Sequence, residues 1–292
     1  MSFTALDVKT LREKTGCGMM DCKKALVETD GDMEKAIDYL REKGMATAAK
    51  KAGRIASEGV CFAEVKGNTA VLVEVNCESD FVSKGDMFAA FAKEVAEYVF
   101  NNDVKDVEEV IAAMADKTTE AIQKIGENIK IRRFAKYVSD QALDSYIHMG
   151  GKIGVIVECT NGVSAETIHD VALQIAAYKP LFVNPEDVPA EVLDKEKEIM
   201  IAQIKNDPKH ANKPQAILEK MVEGKINKYY EENCLMKQAF VKDPSTTIEK
   251  LLAAQGSKVL RFTRFEMGEG LQKKSENLAD EVAAQVEKMK NN

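Results

Sequence analysis

Two five-residue stretches, Val71-Leu72-Val73-Glu74-Val75 and Val155-Ile156-Val157-Glu158-Cys159, carry the same order of branched apolar residues and one acid. Each is followed by an alanine-rich helical stretch. Ala92, Ala96 and Tyr98 recur 80 residues later as Ala172, Ala176 and Tyr178. A strand feeding a helix of the same face, twice in one chain, predicts an α+β fold built on two related antiparallel sheet-plus-helix halves.

The flanks of these repeats extend the pattern. Val60–Val65 and Ala70–Cys77 surround Lys66-Gly67-Asn68-Thr69, which reads as a β-hairpin. Asp86–Phe100 reads as a helix with Phe88, Phe91, Ala92, Val95 and Val99 on one face, and a second helix is expected from about Val107 to Ile125. Gly126 ends it, and Asn128–Val138 alternates as a strand does. Lys258–Glu266 reads as a strand of the second half.

Upstream, the period is helical. Leu6–Lys14 and Met20–Glu28 are short helices separated by Gly16-Cys17-Gly18, and Asp32 caps a third that carries Met33, Ala36, Ile37 and Leu40 at i, i+3, i+4 and i+7. Gly44 is expected at its C-terminal stop, with Ala46–Arg54 a helical linker. This predicts a three-helix, ubiquitin-associated-like bundle over residues 1–55. A first core half follows over 56–140 and a second over 141–266.

Prolines are confined to position 180 and beyond. Glu191–Lys205 and Pro214–Glu232 read as charged helices joined across Asn206–Lys213, an antiparallel coiled-coil hairpin over about 187–232 inserted into the second half. Leu193, Met200 and Ile204 are expected to face Leu218, Met221 and Ile226 along a thin stripe. Residues 267–292 form a C-terminal helical module: past Gly268 and Gly270, Ser275 or Asn277 caps a helix with Leu278, Val282, Val286 and Met289 on one face.

Composition removes several function classes. Acids outnumber bases 48 to 41, for a net charge of −7, so a basic nucleic-acid footprint over the whole chain is not expected. No apolar run reaches the roughly 18 residues that a membrane span needs, and the first residues lack a secretory pattern, so a cytoplasmic protein is expected. The six cysteines are scattered without a Cys-x-x-Cys pair, which speaks against zinc and for free thiols. Gly151-Lys152 and Gly224-Lys225 are each followed by Ile, so no Walker A loop is present. His148, His169 and His210 lie far apart. Neither a cofactor, a metal nor an enzymatic constellation is expected.

Two stretches stand out. In Glu74-Val75-Asn76-Cys77-Glu78-Ser79-Asp80-Phe81-Val82-Ser83-Lys84 a strand delivers an acidic turn with an aromatic residue in its middle. Either Ser79 or Asp80 caps a helix and Phe81 is a core residue or hydrophobic staple, or Asp80 and Phe81 form an exposed wedge. In Leu11–Leu26, Met19 and Met20 are either core residues of a helical turn or an adaptable contact patch flanked by Arg12 and Lys23.

Together these stretches resemble the elongation factor Ts family, the guanine-nucleotide exchange factors of elongation factor Tu. The first matches that family's Glu-x-Asn-x-x-Thr-Asp-Phe-Val signature and the second its Leu-Arg-x-x-Thr-Gly-x-Gly-Met-Met-Asp-Cys-Lys-Lys-Ala-Leu signature. Ile125-Gly126-Glu127-Asn128-Ile129 with Arg132-Arg133 adds a match, as do Tyr146-Ile147-His148 before Gly150-Gly151-Lys152-Ile153-Gly154, and Arg264–Gly270. The resemblance runs through essentially the whole chain. Ser79 stands where the family usually has Thr, and Met149 adds a residue after His148. The resemblance implies that Ser79, Asp80, Phe81 and Val82 dislocate the partner's Mg²⁺. It further implies that Arg12, Met19, Met20, Lys23, Ile125 and His148 bind the GTPase, that the last helix clasps it, and that GDP leaves without covalent chemistry. A homodimer through the hairpin or core and a hairpin that simply protrudes both stay open.

Two other classes compete. One is an adaptor whose helical bundle binds a partner beside an unrelated β core. The other is a thiol enzyme that uses Cys17 or Cys22.

Overall fold

Local sequence chemistry sets the ends of the first helices. The computed structural model describes residues 3–206 and 215–272. The first helix, α1 (Ala5–Thr15), is closed at its start by a capping box between Thr4 and Asp7 and at its end by Gly16 in the left-handed region. Helix α2 (Met19–Glu28) buries Cys22, Ala25 and Leu26. Asp32 accepts from the amides of Glu34 and Lys35 to cap α3 (Met33–Lys51). Leu11, Cys22, Leu26, Ala36 and Leu40 close a small core between the three.

Gly44 does not stop α3, which continues to Lys51 and absorbs most of the expected linker. Gly44 is buried, and a Cβ there would meet Gln123 Oε1 at 2.7 Å. The glycine is a place of close helix approach, so its missing side chain serves packing where a turn was expected.

The first sheet consists of β1 (Glu58–Lys66), β2 (Thr69–Cys77) and β3 (Lys130–Val138), with β2 in the centre. Between β2 and β3 run α4 (Asp80–Ser83), α5 (Asp86–Asn101), α6 (Val107–Ala113) and α7 (Ala115–Ile125). The helix expected over 107–125 is thus two helices, broken at the buried Met114. The break redirects the chain: α6 leans on β3, whereas α7 leans on α3 and α5.

The second sheet repeats this order with β4 (Ala142–His148), β5 (Ile153–Cys159) and a last strand, and α8 (Ala165–Tyr178) covers it. Lys179, in the left-handed region, and the prolines beyond it then turn the chain into the hairpin α9 (Ala190–Asn206) and α10 (Gln215–Asn233). The thin stripe is real: Met200 and Ile204 are buried, while Leu193, Leu218, Met221 and Ile226 are only partly so. A small ribbon of β6 (Ala239–Phe240) and β7 (Asp243–Thr247) and a short α11 (Ile248–Ala253) lead to β8 (Val259–Glu266), which pairs with β5. The cap at Ser275 or Asn277, the apolar face from Leu278 to Met289, and His210 lie outside the described residues.

The two halves agree residue by residue. Glu74 pairs in register with Arg133, and Glu158 with Arg261; each ladder shifts register just after its glutamate. Arg133, Lys136 and Tyr137 recur 128 residues later as Arg261, Arg264 and Phe265. Lys136 donates to the carbonyls of Val99 and Phe100 at the end of α5, and Arg264 to that of Ala176 near the end of α8.

Val71, Val73 and Val75 face α5, and Val155 and Val157 face α8. The opposite faces meet each other. Cys61, Leu72, Tyr137, Ile156 and Phe265 form the seam between the sheets. A Cβ on Gly154 would lie 2.5 Å from Leu72 Cδ1 and 2.9 Å from Cys61 Cβ, so only glycine fits there.

Glu74 is fully buried on this seam. It accepts from Arg132 Nη1 at 2.8 Å, Arg133 Nε at 2.6 Å and the Gly268 amide at 2.8 Å. Arg133 also stacks on Phe265 at 4.2 Å, and Arg261 stacks reciprocally on Tyr137 at 4.1 Å. Glu158 is the matching carboxylate. Burial pushes its pKa up, but hydrogen bonds from Ser139 and Arg261 outweigh that and hold it below the usual range.

Removing a buried carboxylate strands its cationic partners. Glu74→Ala is expected to lower unfolding free energy in urea by about 3–5 kcal/mol. A loss below about 1 kcal/mol would mean that Arg132 and Arg133 find water or other acceptors without cost.

Candidate functional site

Strand β2 ends at Cys77 and the chain must turn before α5. Ser79 takes an extended conformation and caps the single turn of α4, its hydroxyl accepting from the Val82 amide at 3.4 Å. Val82 and Ser83 face inward, Val82 against the first core. Phe81 points the other way and is 86% exposed. The core and staple readings of Phe81 are therefore excluded. A phenyl ring left this exposed on a small, capped turn is unusual for a large apolar side chain.

Asp80 is beside it, paired with Lys84 at 2.6 Å. The hydrogen bond from Lys84 holds the carboxyl below its ordinary range, helped by the nearby charges of Lys84 and Lys152. The turn thus presents one carboxylate and one aromatic ring side by side.

Two further carboxylates hold the turn. Glu127 Oε2 accepts from the amides of Glu78 and Ser79, both at 3.0 Å, and Glu127 Oε1 accepts from the Ser79 hydroxyl at 2.6 Å. Glu78 Oε1 in return accepts from the Asn128 amide at 2.7 Å and from Arg54 Nη1 at 3.3 Å. The residues after β2 and those after α7 are thus clamped in both directions. Sequence reasoning singled out Ser79–Val82 and passed over Glu78 and Glu127 as working residues. The available signal was an acid placed directly after the helix-ending Gly126, where it is free to reach a neighbouring loop.

The other expected contact residues fall in three places. Ile125, the last residue of α7, is partly buried against the first core and precedes the Glu127 clamp. On the helical bundle, Met19 and Met20 are 55% and 74% exposed, with Lys23 and Arg12 exposed near them. The core reading of these methionines is therefore wrong, because Cys22, Ala25 and Leu26 already fill the inward face of α2. The α1–α2 turn lies next to the end of α7, since Gly16 sits against Lys124. His148 closes β4, its Nδ1 sharing a hydrogen bond with the Tyr146 hydroxyl at 2.9 Å; Tyr146 in turn packs edge-on against His169. The loop that follows carries Lys152, which pairs with Glu58 at 2.7 Å near the start of β1.

The bundle is tied to this region through α3. Arg41 pairs with Asp116, Gln123 Nε2 donates to the Leu40 carbonyl at 3.2 Å, and Lys51 Nζ donates to the Gly126 carbonyl. Bundle, α7 and the turn at Ser79 are therefore joined by a continuous series of polar contacts.

All six cysteines are free thiols and buried. Cys17 and Cys22 are buried in the bundle, and burial raises the Cys22 thiol further from ionisation. Cys61, Cys77 and Cys159 are pushed up to about 12, chiefly by burial. With iodoacetamide at pH 8, the native protein is expected to leave Cys61, Cys77 and Cys159 unmodified over an hour, whereas urea-unfolded protein reacts at every cysteine. Rapid native labelling of any of these three, read by peptide mass spectrometry, would contradict the buried geometry.

Among the described residues, no helix is long and apolar enough to cross a membrane. A family model described as elongation factor TS matches residues 78–269, a span that takes in the wedge turn, its clamp, the seam arginines and the hairpin.

Proposed function

The chain belongs to the elongation factor Ts family of translation elongation factors, and from that premise we propose that it is a guanine-nucleotide exchange factor that releases GDP from elongation factor Tu. The observation that carries this reading is the exposed Phe81 on a turn held from both sides. A protein of this family works on a partner, and a rigidly presented phenyl ring is a tool for parting the elements of that partner.

A GTPase retains its nucleotide through loop amides, a lysine and a Mg²⁺ ion that bridges the phosphates. On this proposal Phe81 inserts between elements of the GTPase domain, with Asp80 beside it and Ser79 and Val82 fixing the turn. The metal loses its geometry, the phosphate charge is left uncompensated, and GDP departs. Arg12, Met19, Met20 and Lys23 dock the helical bundle, Ile125 and His148 lie along the contact, and residues 267–292 clasp the GTPase. The polarizable, unbranched methionines suit such a surface because they adapt to its contours. No covalent step and no cofactor of this chain is involved. Reciprocity follows from linkage: a factor that weakens GDP binding is itself bound more weakly when GDP is present, so the incoming nucleotide drives it off.

We also propose that the four modules read from the sequence, 1–55, 56–140, 141–266 with its hairpin, and 267–292, act as separate contact units on that partner. The separate core of the bundle supports its division from the rest.

Phe81→Ala tests the proposal. Burying a phenyl ring at an interface contributes about 1.5–3 kcal/mol, so release of fluorescent GDP from elongation factor Tu in stopped flow is expected to slow by about ten- to a hundred-fold. Because the ring is exposed, the stability of the free protein is expected to change by less than about 0.5 kcal/mol. Release at the wild-type rate would reject the wedge.

A further inference from the structure

We infer that Glu127 is the positioning residue of the wedge, and that the exposed direction of Phe81 is set by its carboxylate. This rests on the reading of Phe81 as the group that enters the GTPase.

Nothing on the surface of the turn holds the ring: Phe81 is 86% exposed, and α4 is only four residues long. A helix of one turn has almost no stability of its own, because nucleation fixes several dihedral angles for one hydrogen bond. Its orientation must come from outside. Inward-facing Val82 gives an apolar foothold, but a foothold alone leaves the turn free to rotate about it.

The polar anchor is Glu127. A single carboxylate takes two consecutive amides on one oxygen and the Ser79 hydroxyl on the other. Bonds from donors to an ionised acceptor are the strong class of hydrogen bond, and the bidentate arrangement fixes direction as well as distance. The same Ser79 hydroxyl donates to Glu127 and accepts from the Val82 amide, so the cap of α4 and the clamp share one atom. Replacing the family's usual threonine by Ser79 keeps that atom.

Glu127 is itself placed by Gly126, which is in the left-handed region and whose carbonyl accepts from Lys51 of the bundle. The clamp therefore joins the wedge to α7 and to the bundle that carries Met19 and Met20. A displacement of about 1 Å between contact groups is enough to cost a large factor in rate, so this connection is where precision is needed.

The test uses the full chain with elongation factor Tu loaded with fluorescent GDP, titrated in stopped flow. Glu127→Ala is expected to lower the maximal release rate by about ten-fold, with the factor concentration for half-maximal rate changed by less than about three-fold. Glu127→Gln keeps an oxygen for the two amides and is expected to recover part of the loss. In the Phe81→Ala background, Glu127→Ala is expected to add little, because both changes remove one function. The inference would be overturned by a wild-type release rate in Glu127→Ala, by effects that multiply fully with Phe81→Ala, or by Glu127→Gln no faster than Glu127→Ala. Circular dichroism on each variant guards against unfolding, and if Glu127→Ala unfolds, the Gln variant and Ser79→Ala carry the same comparison. Slow release in Phe81→Ala with normal release in the Glu127 variants sinks the positioning role alone. Normal release in Phe81→Ala sinks the wedge reading and this inference with it.

Discussion

The fold depends on two carboxylates buried between two sheets. Glu74 and Glu158 occupy the same place in their halves, each facing an arginine across the central ladder. An isolated charge there would be prohibitive. What makes the arrangement tolerable is its closure: Arg132, Arg133 and the Gly268 amide around Glu74, Ser139 and Arg261 around Glu158. The arginines then reach across the seam to a ring of the other half. Each half supplies an arginine to its own glutamate and a ring to the other half's arginine, while Gly268 and Ser139 complete the two carboxylates from across the seam. Gly154 lets the sheets close on one another, and the helices cover the outer faces.

That rigid seam gives a small turn its meaning. The end of β2 is fixed by the ladder, and α7 is fixed by α3, α5 and the core. Glu78 and Glu127 bridge these two fixed ends, so an aromatic side chain can stand in solvent without collapsing onto the protein. The hydrophobic effect would otherwise favour its burial. The exposed methionines of α2 follow the same principle at a second place, with their inward neighbours already occupied by Cys22, Ala25 and Leu26.

Much of this was legible in the linear order of residues, because periodicity reports which face is covered. The strands Val71–Val75 and Val155–Cys159, the face of α5 and the Asp32 cap could all be read directly. What escaped had physical causes. Strand β4 is half-covered on both faces, by β1 on one side and α8 on the other, so it carries no alternation. Gly44 looked like a stop because a glycine's two uses, a left-handed turn and close packing, are identical in sequence. The break at Met114 depends on neighbours distant in the chain. The exposure of Phe81 was ambiguous because the same Ser-Asp-Phe-Val order serves a buried staple equally well. Glu127 and Asn128, which close the clamp on the turn, lie some 50 positions from it, beyond the reach of local pattern. The family match covers 78–269 and so includes both Glu78 and Glu127.

The internal repeat has one irregularity. Glu74 and Glu158 are 84 residues apart, but the matching alanines of α5 and α8 are only 80 apart. Between the glutamate and the first matched alanine the first half therefore holds four more residues, in the stretch that carries α4. In the second half the chain passes from strand to Ser164 and straight into α8. The projecting ring is thus carried on an extra turn laid over a repeated frame, and the second half has that frame without the turn. Residues 79–83 are not among the side chains that form the seam, so the exposed ring and the frame beneath it rest on separate contacts.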